Sequence, residues 1–218
     1  MPATYTNPPH TNRSPIAAVW LDSTGIEPEF HQTIRVCVLI LDADFKPSKV
    51  FPPFYVEMKP DNMLANIDIT KCGVNRKELL EISVNGFTQE AGRKMFLEWF
   101  DSLDLPFNKW GCRQRQLIPL AYNWCTVRPF LMDWLSRDSF EVFFHQEWRD
   151  IRGAANYLND QAWMRAAERV PYYKDDFTWL CKNTSNAIDS AAKNPIYLAD
   201  KVAKVYRTLL TRDYLSIS

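Results

Sequence analysis

The sequence predicts an α/β domain built on a mixed sheet, and three observations carry that prediction. Three apolar, strand-like runs come early and close together. After them helix-like and strand-like segments alternate. No internal repeat or linker divides the chain, so residues 16–218 read as one domain behind a loose tail at 1–15. The early runs are close enough in sequence to pair as an antiparallel meander before βα units begin.

Taken in order, MPATYTNPPHTNRSP (1–15) is rich in Pro, Asn and Thr with no apolar period, and reads as disordered. A first strand runs from Ile16 to Leu21 and delivers Asp22 to a turn through Ser23, Thr24 and Gly25. IRVCVLIL (34–41) is a nearly unbroken β-branched and aliphatic run, the pattern of a strand covered on both faces. DADFKP (42–47) has turn chemistry, and FYVEMKP (54–60) is a third strand ended by Pro60. Between 89 and 103, Ala91, Met95, Phe96, Trp99, Phe100 and Leu103 recur at helical spacing. A locally basic loop, NKWGCRQRQ (108–116), leads into a short buried strand, LIPLA (117–121).

Farther on, RPFLMDWL (128–135) has a helical period, and Phe140–Phe144 reads as a further strand running into HQEWRD (145–150). Helices are expected over 161–170 and 175–183. The clearest is the last, where Leu198, Val202, Val205, Tyr206, Leu209 and Leu210 form one stripe.

Composition narrows the function classes. Lys plus Arg (26) cancels Asp plus Glu (26), so no whole-chain field draws the protein to nucleic acid or an acidic membrane. Five scattered cysteines without a CxxC pair, and no secretory signal, point away from a disulfide scaffold or zinc site and toward a reducing cytoplasm. The eight tryptophans are expected mainly in the core.

The chemistry starts at AAVWLDSTG (17–25), where an apolar strand climbs to a single acid, Asp22. With LIPLAYNWCTVRPFLMDWL (117–135), EWRD (147–150) and LADKVAKVYRTLL (198–210), this layout resembles the ribonuclease-H-like fold. More specifically, over about residues 16–210, it is similar to the DnaQ-like (DEDD) 3′–5′ exonucleases, and the second segment resembles a phage-type subgroup closely. That resemblance implies a D-x-E-x-x-G element on the first strand, a second-motif Asp at a helix start, and an H-x-A-x-x-D element on the last helix. Four such carboxylates would hold two divalent metals roughly 3.5–4 Å apart, Mg²⁺ or Mn²⁺ by their oxygen ligands, with the His as general base.

This chain departs from the pattern. Aligned on Gly25, Trp20 takes the first acid's place and Asp22 the second's; aligned on Leu21, Asp22 is the first acid and the Glu has been lost by shortening, the register favoured here because LD then reads straight into STG. In the second motif the Asp position falls on Val127. In the third, the His position falls on Pro195 and only Asp200 matches. Asp133, about 1.7 helical turns beyond Val127, points away. Asp22, Asp200 and Asp150 are thus the residual metal-ligand candidates, able at most to hold one Mg²⁺ or Mn²⁺ weakly.

Each signal also has a plainer reading. Asp22 suits a turn, Asp200 a helix start favoured by the dipole, and Asp150 a structural pair with Arg149. Asn123 can satisfy turn backbone or contact a nucleotide. Lys109, Trp110, Arg113 and Arg115 mix charge and ring as single-strand binders do, yet a charged loop is commonly just solvated. The expectation is a catalytically degenerate exonuclease-like protein, without a cofactor, that binds a protein or single-stranded nucleic acid in the host cytoplasm. The alternative is a residual metal-dependent exonuclease on single-stranded DNA or RNA.

Overall fold

Residues 14–61, 67–105, 116–164, 174, 176–184, 186–189 and 194–211 are described by the computed structural model. The strands are β1 (Ile16–Ser23), β2 (Thr33–Ile40), β3 (Phe54–Glu57), β4 (Ile118–Ala121) and β5 (Arg149–Asp150). The helices are α1 (Arg76–Asn85), α2 (Gln89–Ser102), α3 (Trp124–Leu135), α4 (Arg137–Phe143), α5 (Ile151–Met164), α6 (Phe177–Asn183) and α7 (Pro195–Thr211). They form one mixed sheet in the order β3-β2-β1-β4-β5. The meander is present, since β1 pairs antiparallel with β2 and β2 with β3, while β4 and β5 run parallel to β1.

Strand periodicity sends alternate residues to two cores. Ala17, Val19, Val36 and Val38 face α2, α3 and α4, where Phe96 is fully buried among the rings of Phe54, Trp99, Trp134 and Phe143. Ile16, Ala18, Cys37 and Leu39 face α5, α6 and α7. Every residue of β2 is buried because both of its faces are covered, as the unbroken apolar run predicts.

Several expectations need correction. Phe140–Phe144 is not a strand: α4 occupies Arg137–Phe143, capped by the Ser136 hydroxyl on the Ser139 amide, and Phe144 alone bridges to Leu117. Phe140, Phe143 and Phe144 reach one core because their spacing is that of a helix face. α3 begins at Trp124, about a turn before the expected Arg128, despite the internal Pro129. α5 starts at Ile151 rather than 161, and residues 165–170 lie outside the described part. α1 was not expected, although Asn75 and Glu78 form a capping box legible in the sequence. Ser14 and Pro15, assigned to the tail, are buried, and the Pro15 carbonyl accepts from the Ile118 amide.

Candidate functional site

The end of β1 is the natural place to look, since it carries the one acid of the first motif. Ile16, Ala18, Trp20 and Asp22 alternate onto the face covered by α5, α6 and α7. A register shift between Asp22 and Ser23 ends the regular ladder, and the turn beyond is closed by the Thr24 amide on the Gln32 carbonyl. The Trp20 indole Nε1 donates to Asp22 Oδ1 at 3.1 Å, and its ring packs on Phe177 with centroids 5.4 Å apart. Trp20 is therefore a neighbour of Asp22 on the same face, and its ring belongs to the core beneath α6 and α7.

Opposite Asp22 on β2 stands Arg35, and opposite Arg35 on β3 stands Glu57. Arg35 Nε donates to Glu57 Oε1 at 2.9 Å, and Nη1 lies 3.6 Å from Glu78 Oε1 and 3.9 Å from Asp22 Oδ2. The Tyr55 hydroxyl adds a 2.5 Å bond to Glu57. Glu78 also accepts from the Asn75 amide, so one side chain both caps α1 and faces the guanidinium. Arg35 and its acids thus tie β1, β2, β3 and α1 together.

Asp22 itself is only 5% exposed. The chain around Gly73 roofs it: a Cβ added there would stand 2.5 Å from Asp22 Oδ1, and the Gly73 amide donates to the Ser23 carbonyl. No side chain larger than hydrogen fits at that close approach. Burial pushes the Asp22 carboxyl up to about 6, against the pull of Arg35 and of the Trp20 indole, with Glu78 and Glu57 adding to the rise.

The other candidates lie in different surroundings. Asp150 accepts from the amides of Asn123 (3.1 Å), Trp124 (2.8 Å) and Arg152 (2.9 Å), so it caps both α3 and α5. It pairs with Ala121, whose side chain faces the α2–α4 core, so Asp150 and Asp22 project from opposite faces of the sheet. Asn123 is left-handed (φ 59°) and bonds to the Thr126 hydroxyl at 2.7 Å, consistent with its plainer reading as a turn residue. Asp200 pairs with Lys204 at 2.6 Å and borders a cavity of about 470 Å³ lined in part by Leu39, Ile40, Phe51 and Tyr197. Leu39 lies four residues along β2 from Arg35, roughly 13 Å at strand rise. Val127 is half-buried against the α2–α4 core, and Pro195 is buried as the first residue of α7. Lys109, Trp110, Arg113 and Arg115 lie outside the described residues.

Sequence reasoning missed Arg35, Glu57, Glu78 and Gly73. The available signal was Arg35 itself, a lone charge inside an otherwise apolar strand, which must find partners when buried.

No family model and no curated protein matches the sequence. Solved structures do. The nuclease domain of 3′hExo, a DEDDh family member, bound to rAMP, matches with a TM-score of 0.62 at 15% identity, over 92% of this chain and 93% of that one. Cell-death related nuclease 4 (CRN-4) gives 0.60 at 10% identity, over 91% of this chain and 64% of its own. The E. coli exonuclease I–single-stranded DNA complex gives 0.59 at 16%, over 89% of this chain and 39% of that one. This chain has the DnaQ-like exonuclease fold.

Within that fold the described residues do not fit a metal pair. Among the described residues there is no group of three or more His, Cys, Asp or Glu placed to hold a metal ion. Asp150 spends both oxygens on helix amides, Asp200 meets a lysine, and Asp22 is roofed over and faces a guanidinium. The three candidates are not brought together. No helix among the described residues is long and apolar enough to cross a membrane.

Proposed function

We propose that this chain is a catalytically inactive exonuclease-fold protein whose architecture serves as a binding scaffold. The observation that carries this reading is the state of Asp22, a carboxylate sealed under Gly73 and opposed by Arg35 where a metal-binding acid would need open access. The Trp20 ring, packed on Phe177 in the α6–α7 core, supports the shortened register, in which Asp22 is the first acid and the Glu is lost. Val127 and Pro195, an apolar side chain and a ring without a proton to exchange, support the loss of the second acid and of the base.

The fold's other members support the partner class proposed here. Exonuclease I holds single-stranded DNA, and a 3′-exonuclease of this fold recognises a histone mRNA stem-loop. For this chain the corresponding partners are a single-stranded nucleic acid or a protein that acts on one. The resemblance of residues 117–135 to a phage-type subgroup supports an encounter in a host cytoplasm.

The test is cleavage. End-labelled single-stranded DNA and RNA are incubated with the protein in Mg²⁺ and in Mn²⁺, beside an Asp22→Ala/Asp200→Ala double variant. The two proteins are expected to leave the strands equally intact. Shortening from the 3′ end by the wild type that the double variant lacks would replace this reading with that of a residual exonuclease.

A further inference from the structure

We infer that the Arg35 guanidinium is the fixed counter-cation of this site, engaging carboxylates from three elements and excluding divalent metal ions from it. The inference rests on the non-catalytic reading and supplies a physical reason for it. Asp22, Arg35 and Glu57 form one row across β1, β2 and β3, with the cation in the middle. Glu78 approaches the same guanidinium from α1. Three acids of separate origin therefore converge on one centre, and the group found there is an arginine.

The chemistry favours this occupant. A guanidinium stays charged in any protein environment and presents five donors in a planar fork, so it can engage several carboxylates at once. Desolvation loosens its proton, but the neighbouring Tyr55, Glu57, Asp22 and Glu78 together outweigh that and hold it more tightly still. A divalent ion entering beside it would meet a like charge within a few ångströms and would have to displace the Glu57 bond, which Tyr55 also braces. The row also locks the roof: Glu78 caps α1, and the segment leading into α1 carries Gly73 across Asp22.

The probe is Mn²⁺ alone, and the readout is the thermal midpoint of the full chain in EDTA and in millimolar Mn²⁺. Wild type is expected to show the same midpoint in both. Arg35→Met leaves three carboxylates without their cation and is expected to melt roughly 6–15 °C lower in EDTA. Mn²⁺ should return at least half of that loss, and adding Glu57→Gln should abolish the return. Arg35→Lys keeps a point charge without the fork, so it should melt lower than wild type yet gain nothing from Mn²⁺. If Arg35→Met does not fold, the wild-type and Arg35→Lys comparisons decide alone. Stabilisation of the wild type by Mn²⁺ that Glu57→Gln removes would overturn the inference, as would an Arg35→Met protein indifferent to Mn²⁺. Mn²⁺ binding without strand cleavage would overturn this inference and leave the scaffold reading standing, whereas cleavage lost on Asp22→Ala would overturn both.

Discussion

Trp20→Asp, the substitution that would rewrite the first motif as D-x-D, is expected to destabilise the protein by at least about 3 kcal/mol and to restore no nuclease activity. The indole is half-buried against the α6–α7 core, in ring contact with Phe177. Its removal opens a cavity there, and the new carboxylate would share a buried face with Asp22, two residues away, so the like charges oppose each other. The midpoint of thermal unfolding should fall by roughly 6–12 °C. Trp20→Phe separates the causes: it keeps a ring beside Phe177 and loses only the N–H bond to Asp22, at a cost of about 1 kcal/mol. A Trp20→Asp protein as stable as wild type would mean that the indole is not a structural plug.

Comparison of wild type with Asp22→Asn should reveal a pH dependence that runs against the usual direction for a carboxylate. The folded-state pKa, about 6, lies above the ordinary 3.8, so the native state holds this proton more tightly than the unfolded chain does. The stabilisation that comes from the protonated carboxyl is complete below about pH 4 and is lost as pH climbs through 6. Between those limits the difference between the two proteins should shift by on the order of 3 kcal/mol, against the wild type at the higher pH. Urea midpoints across that range give the measurement. Parallel profiles would show that Asp22 is ionised throughout, with Arg35 outweighing its burial.

The regular parts of this fold were legible because local pattern and tertiary role agree. The β-branched run of β2 is buried on both faces, and the Leu198–Leu210 stripe became α7. Phe140–Phe144 misled because aromatic and β-branched residues favour strands, while the contacts that decide the matter are the i, i+3 and i+4 positions of α4. The start of α3 was hidden because its cap is Asp150, 26 residues later, rather than a local side chain. At the site the sequence exposes Asp22 and its missing companions. It does not reveal what replaces them, because Glu57 lies 22 residues from Arg35 and Gly73 closes over Asp22 only through the path of the chain after β3. A lone arginine in an apolar strand says that partners exist, not which ones.

The sealed state of Asp22 is the centre of this account, and the Trp20 indole proton reports on it directly, because that proton is bonded to the Asp22 carboxylate. Its NMR resonance can be assigned among the eight tryptophans with Trp20→Phe and followed as Mn²⁺ is added. A paramagnetic ion at Asp22 would broaden this signal beyond detection at the lowest additions. With Asp22 sealed, the signal is expected to stay as sharp as the indole signals farthest from any carboxylate. Selective loss of the Trp20 signal would contradict it, placing a metal ion at the acid this fold would need for catalysis.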